Sequence, residues 1–328
     1  MSSGAGPAPK DSERRRNKTS AQRVFVRTVS NRLGDATMAI SSGLATALVL
    51  AILAVILFDI VRSGASHLSI AFLTQAPREG MTAGGIFPAI VGMVEMVLLM
   101  TVAGVPVGVA TAIYLHEYAP AQSRLTRLIR IAVANLAGVP SIVFGLFGLG
   151  FFVQFLGAGI DKLFFGGQKV YGQPALVWAA LTMAVLTLPV VIVATEEALR
   201  AVPRELREAS LALGATKFQT VIHVVVPQAS AGILTGMILA VSRGAGEVAP
   251  ILFTGAAYFL PHLPKGLSSQ FMTPSYHVYV LATQSPDVDA TKPILYTTVL
   301  VLVALTFVLN IAAVVVRARV RRQNSFGH

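Results

Sequence analysis

The sequence predicts an all-α membrane protein with six transmembrane helices. Three observations lead there. Of 328 residues, 54% are hydrophobic and only 12% charged, about half the charge fraction of a soluble domain. Six apolar stretches are each long enough to cross a bilayer, which takes roughly 20 helical residues. The 26 basic residues also alternate in density from one inter-span segment to the next, as a chain threading back and forth requires. A chain this apolar cannot hide its surface in one soluble core, so lipid is the solvent for the excess. It contains no cysteine, which excludes disulfide frameworks, cysteine metal sites and thiol catalysis.

Residues 1–34 are rich in Ser, Gly, Pro, Arg and Lys and are expected to form a disordered basic cytoplasmic arm. They do not read as a cleavable signal peptide, because the apolar run after Arg32 is too long. A transmembrane domain is expected over 35–316, with spans near 38–61, 85–114, 129–156, 175–194, 232–253 and 294–316. The second stretch exceeds what a bilayer needs, and Pro88 and Pro106 within it each remove a helix hydrogen bond. Pro140 interrupts the third stretch. Residues 317–328 are expected to be a basic cytoplasmic tail.

Nineteen of the basic residues fall before the first span, in the second–third and fourth–fifth loops, and in the tail. Six fall in the opposite loops, and Arg243 lies inside a span. This asymmetry predicts that both termini are cytoplasmic. The net charge of +11 is therefore a topology signal rather than the footprint of a nucleic-acid groove.

The longest loop on the basic side, 195–231, does not read as a linker. Pro203 can open a helix, with Glu205 near its positive end. Leu206, Ala209 and Leu213 then follow helical spacing, giving one apolar and one charged face, and Gly214 offers a stop. A helix lying on lipid favours Lys and Arg on its polar face. This one balances Glu with Arg, which suits a protein partner.

The loop carries a resemblance. Glu208-Ala209-Ser210, Gly214 six residues after Glu208, and Val224-x-Val226-Pro227 together resemble the EAA loop of bacterial ABC importer permeases. Ser210, Val224 and Val226 replace Ala, Ile and Leu of that pattern. The segments Ala112–Pro120, Gly138–Leu149, Thr195–Lys217 and Ser242–Gly255 further resemble phosphate importer permeases of the PstA type, with Val248 in place of a Thr. The resemblance covers most of the chain from about residue 80 onward and implies a type I importer permease fold in a bacterial inner membrane. It implies that Glu208, Ala209, Ser210 and Gly214 form a joint with an ATPase. It also implies a second permease subunit (PstC type), two ATPase subunits (PstB type) that bind ATP and Mg, and an extracytoplasmic phosphate-binding protein (PstS type). No cofactor is expected in this chain. It has no G-x-x-x-x-G-K-[ST] segment to cradle ATP phosphates, and it is not expected to be an enzyme.

Three charges, Glu95, Arg243 and Glu247, fall well away from the ends of the expected spans, where each costs roughly 2.5–3.5 kcal/mol at a helix centre. Arg243 and Glu247 are four apart, placing them on one face of the fifth helix. Counted from Gly232, Arg243 lies about 16 Å in, near the midplane. Glu95 is expected at similar depth on the second helix. An Arg–Glu pair can simply neutralise itself. Alternatively it lines an anion path, since arginine's planar fork suits phosphate oxygens. Glu247 would then accept from a protonated phosphate and repel unprotonated sulfate. Other readings of the same residues are a path for another oxyanion, a proton-coupled secondary carrier using Glu95 and Glu247, or a non-transporting scaffold. The histidines have no metal-ligand spacing.

Overall fold

The computed structural model describes residues 10–120 and 122–325. The chain forms two units, Met1–Asp59 and Ile60–His328. Among the described residues, six helices are long and apolar enough to cross a membrane: Gly34–Ala65, Phe87–Tyr118, Ser141–Phe164, Leu176–Arg200, Lys217–Ala245 and Val288–Arg319.

The first unit is a single helix, α1 (Lys10–Ala65, its last turns continuing into the second unit). Every residue from Gly34 to Asp59 is exposed, apolar side chains such as Leu48 and Phe58 included. Lipid accounts for a helix apolar on all sides. Residues 1–9 of the expected arm lie outside the described residues. From Lys10 onward the backbone is helical where a disordered arm is expected. Residues 10–33 contain neither glycine nor proline, so nothing in that stretch breaks a helix.

In the second unit, α2 (Ile70–Thr74) is capped by the Ser69 side chain, which accepts from the Phe72 amide. A two-stranded hairpin follows, β1 (Pro77–Arg78) and β2 (Ala83–Gly84). Next come α3 (Phe87–Ile113), extended by a π-helical turn Tyr114–Tyr118, and α4 (Arg124–Leu136). The third span joins α5 (Ser141–Phe147), a π segment Gly148–Gly157 and α6 (Ala158–Phe164). Then come α7 (Leu176–Arg200), α8 (Arg204–Ala212) and α9 (Lys217–Thr220), the last running through a π turn Val221–Val225 into α10 (Val226–Ala245). The unit closes with α11 (Ala249–Thr254), α12 (Pro274–Thr283) and α13 (Val288–Ser325).

Close packing of α3, α7 and α10 forms the centre. A methyl group on Gly108 would come within 2.7 Å of Val191, and one on Gly232 within 2.6 Å of Ala198. Small residues at these crossings let backbones approach where water supplies no hydrophobic drive. Polar contacts join the outer helices. Ser242 Oγ donates to Asn310 Oδ1, Arg317 Nη1 donates to Thr235 Oγ1 at 2.9 Å, and Thr297 Oγ1 donates to the Gly64 carbonyl at 3.0 Å.

Two spans differ from expectation. The third was expected over 129–156 but begins at Ser141. Residues 124–136 instead form the separate amphipathic helix α4, because Pro140 cannot continue a helix and α4 carries Arg124, Arg127 and Arg130 on its polar side. The fifth was expected over 232–253 but runs from Lys217 to Ala245 and stops at Gly246. The loop expected over 195–231 therefore shrinks, since α7 extends to Arg200 and α9 already belongs to the fifth span. Pro88 opens α3, while Pro106 lies within a helix that continues through it. The tail from 317 continues α13 as far as Ser325.

One buried group makes the fold sensitive to acid. His277 on α12 is 2% exposed, and its Nδ1 has no hydrogen-bond partner among the described residues. Burial pushes its imidazole down to about 4 from 6.5. The unfolded chain takes up this proton near pH 6.5 and the folded chain does not. Stability is therefore complete above 6.5 and falls as pH drops towards 4, by up to roughly 3 kcal/mol. Thermal unfolding in detergent should show a lower midpoint at pH 5 than at pH 7.5, and His277→Gln should flatten that difference. An equal acid loss in the variant would show that other groups carry it.

Candidate functional site

Arg243 and Glu247 do not share one helix. α10 ends at Ala245 with Gly246 as its cap, and α11 begins only at Ala249. Glu247 lies in the break, a correction to the expected continuous helical face. Gly244 and Gly246, with Pro250 just beyond, favour the interruption. The break is pinned. The Glu247 amide donates to the Gly244 carbonyl at 3.2 Å, and its own carbonyl accepts from Ser275 Oγ on the segment bearing α12, also at 3.2 Å.

The two side chains still meet, with Arg243 Nε 3.6 Å from Glu247 Oε1. That is an ion pair but too long for a hydrogen bond. The Arg243 side chain is 57% exposed and that of Glu247 21%. The carboxylate is held while the guanidinium keeps its donor fork open. Gly244 lies against Met100 and Met183, since a β-carbon there would stand 2.7 Å from Met100 Sδ. Met183 is about 10 Å along α7 from its start at Leu176, which sets the depth of Gly244 between the two ion-pair residues.

Glu95 is not part of this group. It is about 12 Å along α3 from Phe87 and about 7 Å nearer that end than Met100. It lines a cleft of about 440 Å³ with Leu98, Leu99, Leu176, Pro264 and Lys265. No hydrogen bond or ion pair joins it to Arg243 or Glu247 among the described residues. The expected common depth is corrected because the fifth span runs further and stops earlier than its hydropathy suggests.

At the end of the bundle that carries α4 and α8, the remaining site residues come together. α8 starts after Pro203, has Glu205 in its first turn and ends with Gly214 at φ +86°. The Ala215 amide donates to Ser210 O at 3.2 Å and the Gly214 amide to Leu211 O at 3.0 Å, the paired bonds of a Schellman stop. Thr216 and Gln219 form a capping box that immediately begins α9. Glu208 and Ala209 are exposed, whereas Ser210 is partly buried and pairs with Thr220 Oγ1 at 3.0 Å. The apolar face read from the sequence is exposed too, Leu206 at 38% and Leu213 at 89%, and so is Phe218 on α9 at 64%. α8 is too short and too charged to bury a stripe of its own.

Two ion pairs near these helix ends, one of them made by Arg207 of α8, are not evident in the sequence. Arg207 Nη2 donates to Glu117 Oε1 at 3.0 Å and to Leu199 O at 2.8 Å, while its Nη1 donates to Val202 O at 2.6 Å. His116 Nδ1 also lies 3.0 Å from Glu117 Oε1. Arg130 Nη2 donates to Leu115 O at 2.8 Å and stands 3.3 Å from Glu196 Oε1. Ninety residues separate Arg207 from Glu117. A carboxylate at the end of an apolar span was the signal available, but pattern alone does not supply its partner.

Residues 104–322 match the family described as the binding-protein-dependent transport system inner membrane component. The probable ABC transporter permease protein YqgI of Bacillus subtilis is 34% identical over 262 residues, covering 76% of this chain and 84% of that protein. The phosphate transport system permease protein PstA of Haemophilus influenzae is 35% identical over 219 residues, 66% of this chain and 68% of the relative. PstA 1 of Mycobacterium tuberculosis is 41% identical over 170 residues, and the aligned part spans about half of that relative, 51%. Among solved structures, a bacterial alginate ABC transporter chain superposes with TM-score 0.58 at 15% identity, covering 82% of this chain and 92% of the other. The MetNI methionine ABC transporter gives TM-score 0.53 at 19% identity, covering 72% and 97%. Because the matched stretch runs from the middle of α3 through the last span, and one relative aligns over most of both sequences, this chain belongs to the binding-protein-dependent transport system inner membrane component family and has the type I ABC importer permease fold.

Proposed function

We propose that this chain is the PstA-type permease subunit of an ATP-driven phosphate importer, with both termini cytoplasmic and α8 facing an ATPase. The observation that carries this reading is α8. It leaves Glu208 and Ala209 exposed on a short helix whose stop requires a left-handed glycine, with exposed Leu213 as its cap and exposed Phe218 on α9 just after. A membrane carrier or scaffold has no need of such a joint. The density of basic residues on this side supports its assignment to the cytoplasm.

By this reading two ATPase subunits of PstB type bind ATP and Mg, and a PstC-type subunit supplies the other half of the pathway. A PstS-type protein delivers phosphate from outside. Phosphate as cargo is supported by the relatives' names and by Arg243, whose open fork can take oxyanion oxygens. Glu247 holds Arg243 when the path is empty. When phosphate passes, it accepts from a protonated oxygen, a bond that sulfate at neutral pH cannot donate.

Two outcomes test the assignment. In the reconstituted importer, Arg243→Gln should reduce ATP-dependent phosphate uptake about tenfold or more, the scale of a lost charged hydrogen bond, while the subunits still co-purify. Unchanged uptake would refute the path role, and wild-type uptake of sulfate equal to phosphate would refute the selectivity. Gly214→Val should force a β-branched residue into a left-handed conformation at a cost of at least about 1–2 kcal/mol. Retention of the ATPase on affinity purification should drop accordingly. Full retention would show that the joint lies elsewhere.

A further inference from the structure

α8 is bound to the rest of the chain by one side chain more than by any other. Arg207 is half-buried between three pieces of backbone and a carboxylate, with its side chain 17% exposed and that of Glu117 9%. Its partners belong to two spans. Leu199 is in the last turn of α7, its carbonyl also accepting from the Val202 amide at 3.3 Å, and Val202 lies just beyond that helix. Glu117 is in the π turn that ends the second span. A guanidinium can serve all of these at once because its donors form a rigid planar fork. Three residues further along α8, Ser210 pairs with Thr220 at the start of the fifth span.

We infer that Arg207 is a positioning residue for transport, a latch that makes α8 move together with the second and fourth spans. Glu208, next to it, is exposed to the partner, while Arg207 points into the bundle. Neighbouring residues thus divide the work of docking and of transmission. The π turn at Glu117 supports this assignment. Its wider turn brings Glu117 Oε1 to Arg207 and His116 together, and such turns recur at functional positions. The second clamp, Arg130 to Leu115 O and Glu196, holds the same two span ends together beside it. Span ends held by charged hydrogen bonds shift as one body, whereas a helix joined only by its loops swings freely.

This inference rests on the importer reading above, and one experiment separates the two. The chain has no cysteine, so labels and cross-links report only on introduced sites. Arg207→Gln and, separately, the near-isosteric Glu117→Gln would be assembled with the candidate partner subunits in liposomes. Phosphate uptake and ATP hydrolysis would be measured together. The expected result for both variants is an assembled complex that hydrolyses ATP but moves about tenfold less phosphate per ATP. Arg207→Lys should be intermediate, since a single ammonium reaches fewer of the four partners. The double Gln variant should be no worse than the poorer single one. Unchanged phosphate moved per ATP in both single variants overturns the latch. So does a parallel loss of hydrolysis, uptake and subunit retention, which would make Arg207 merely a fold or docking residue. If the wild-type complex neither binds an ATPase nor takes up phosphate, the importer reading fails and takes the latch with it.

Discussion

In hydrocarbon a peptide group finds no water, and each unmet N–H or C=O costs several kcal/mol. That constraint shapes the whole chain. Every crossing is helical, and departures from regular helix occur where other parts of the chain answer for them. The interruption at Gly246–Val248 is the clearest case. The Gly246 and Glu247 amides return to the Arg243 and Gly244 carbonyls, and Ser275 donates to the Glu247 carbonyl. The segment bearing α12 thus covers a gap that lipid would not tolerate. The same requirement accounts for the three π segments, which widen a helix without abandoning its hydrogen bonds.

Arg207 and Arg243 are treated in opposite ways. Arg207 is filled by one carboxylate and two main-chain carbonyls at 3.0 Å or less. Arg243 has one carboxylate beyond hydrogen-bond distance and a largely exposed side chain. A satisfied guanidinium holds structure together, because moving it breaks several charged bonds. An unsatisfied one keeps donors that the fold does not use. The pair at Arg243 therefore differs from a self-neutralising ion pair, which would close at hydrogen-bond distance and bury both partners.

α8 shows how local sequence and tertiary setting share a task. Its start at Pro203, its Schellman stop at Gly214 and the capping box at Thr216 are all local rules written in consecutive residues. They set a short helix at a defined angle to the fifth span. What they do not set is which spans that helix pulls on, because this depends on Glu117 and Leu199 arriving beside Arg207.

Hydropathy, basic-residue alternation and local helix signals were enough to read six spans, the membrane class and a short helix that stops at Gly214. These are properties of single segments against their solvent or of residues a few positions apart. Span limits were less legible. α4 looked like the start of the third span because its second half, 129–136, is apolar but for Arg130 and Asn135 and lies close to the next apolar stretch. The fifth span was displaced because its break depends on cover by Ser275, a residue 28 positions away. Likewise, Glu95 joined Arg243 and Glu247 in the sequence through polarity alone, and only packing separated them by depth. The Arg207–Glu117 and Arg130–Glu196 pairs could be decided only in three dimensions. A charge announces the need for a partner in an apolar chain, but the fold chooses which one it meets.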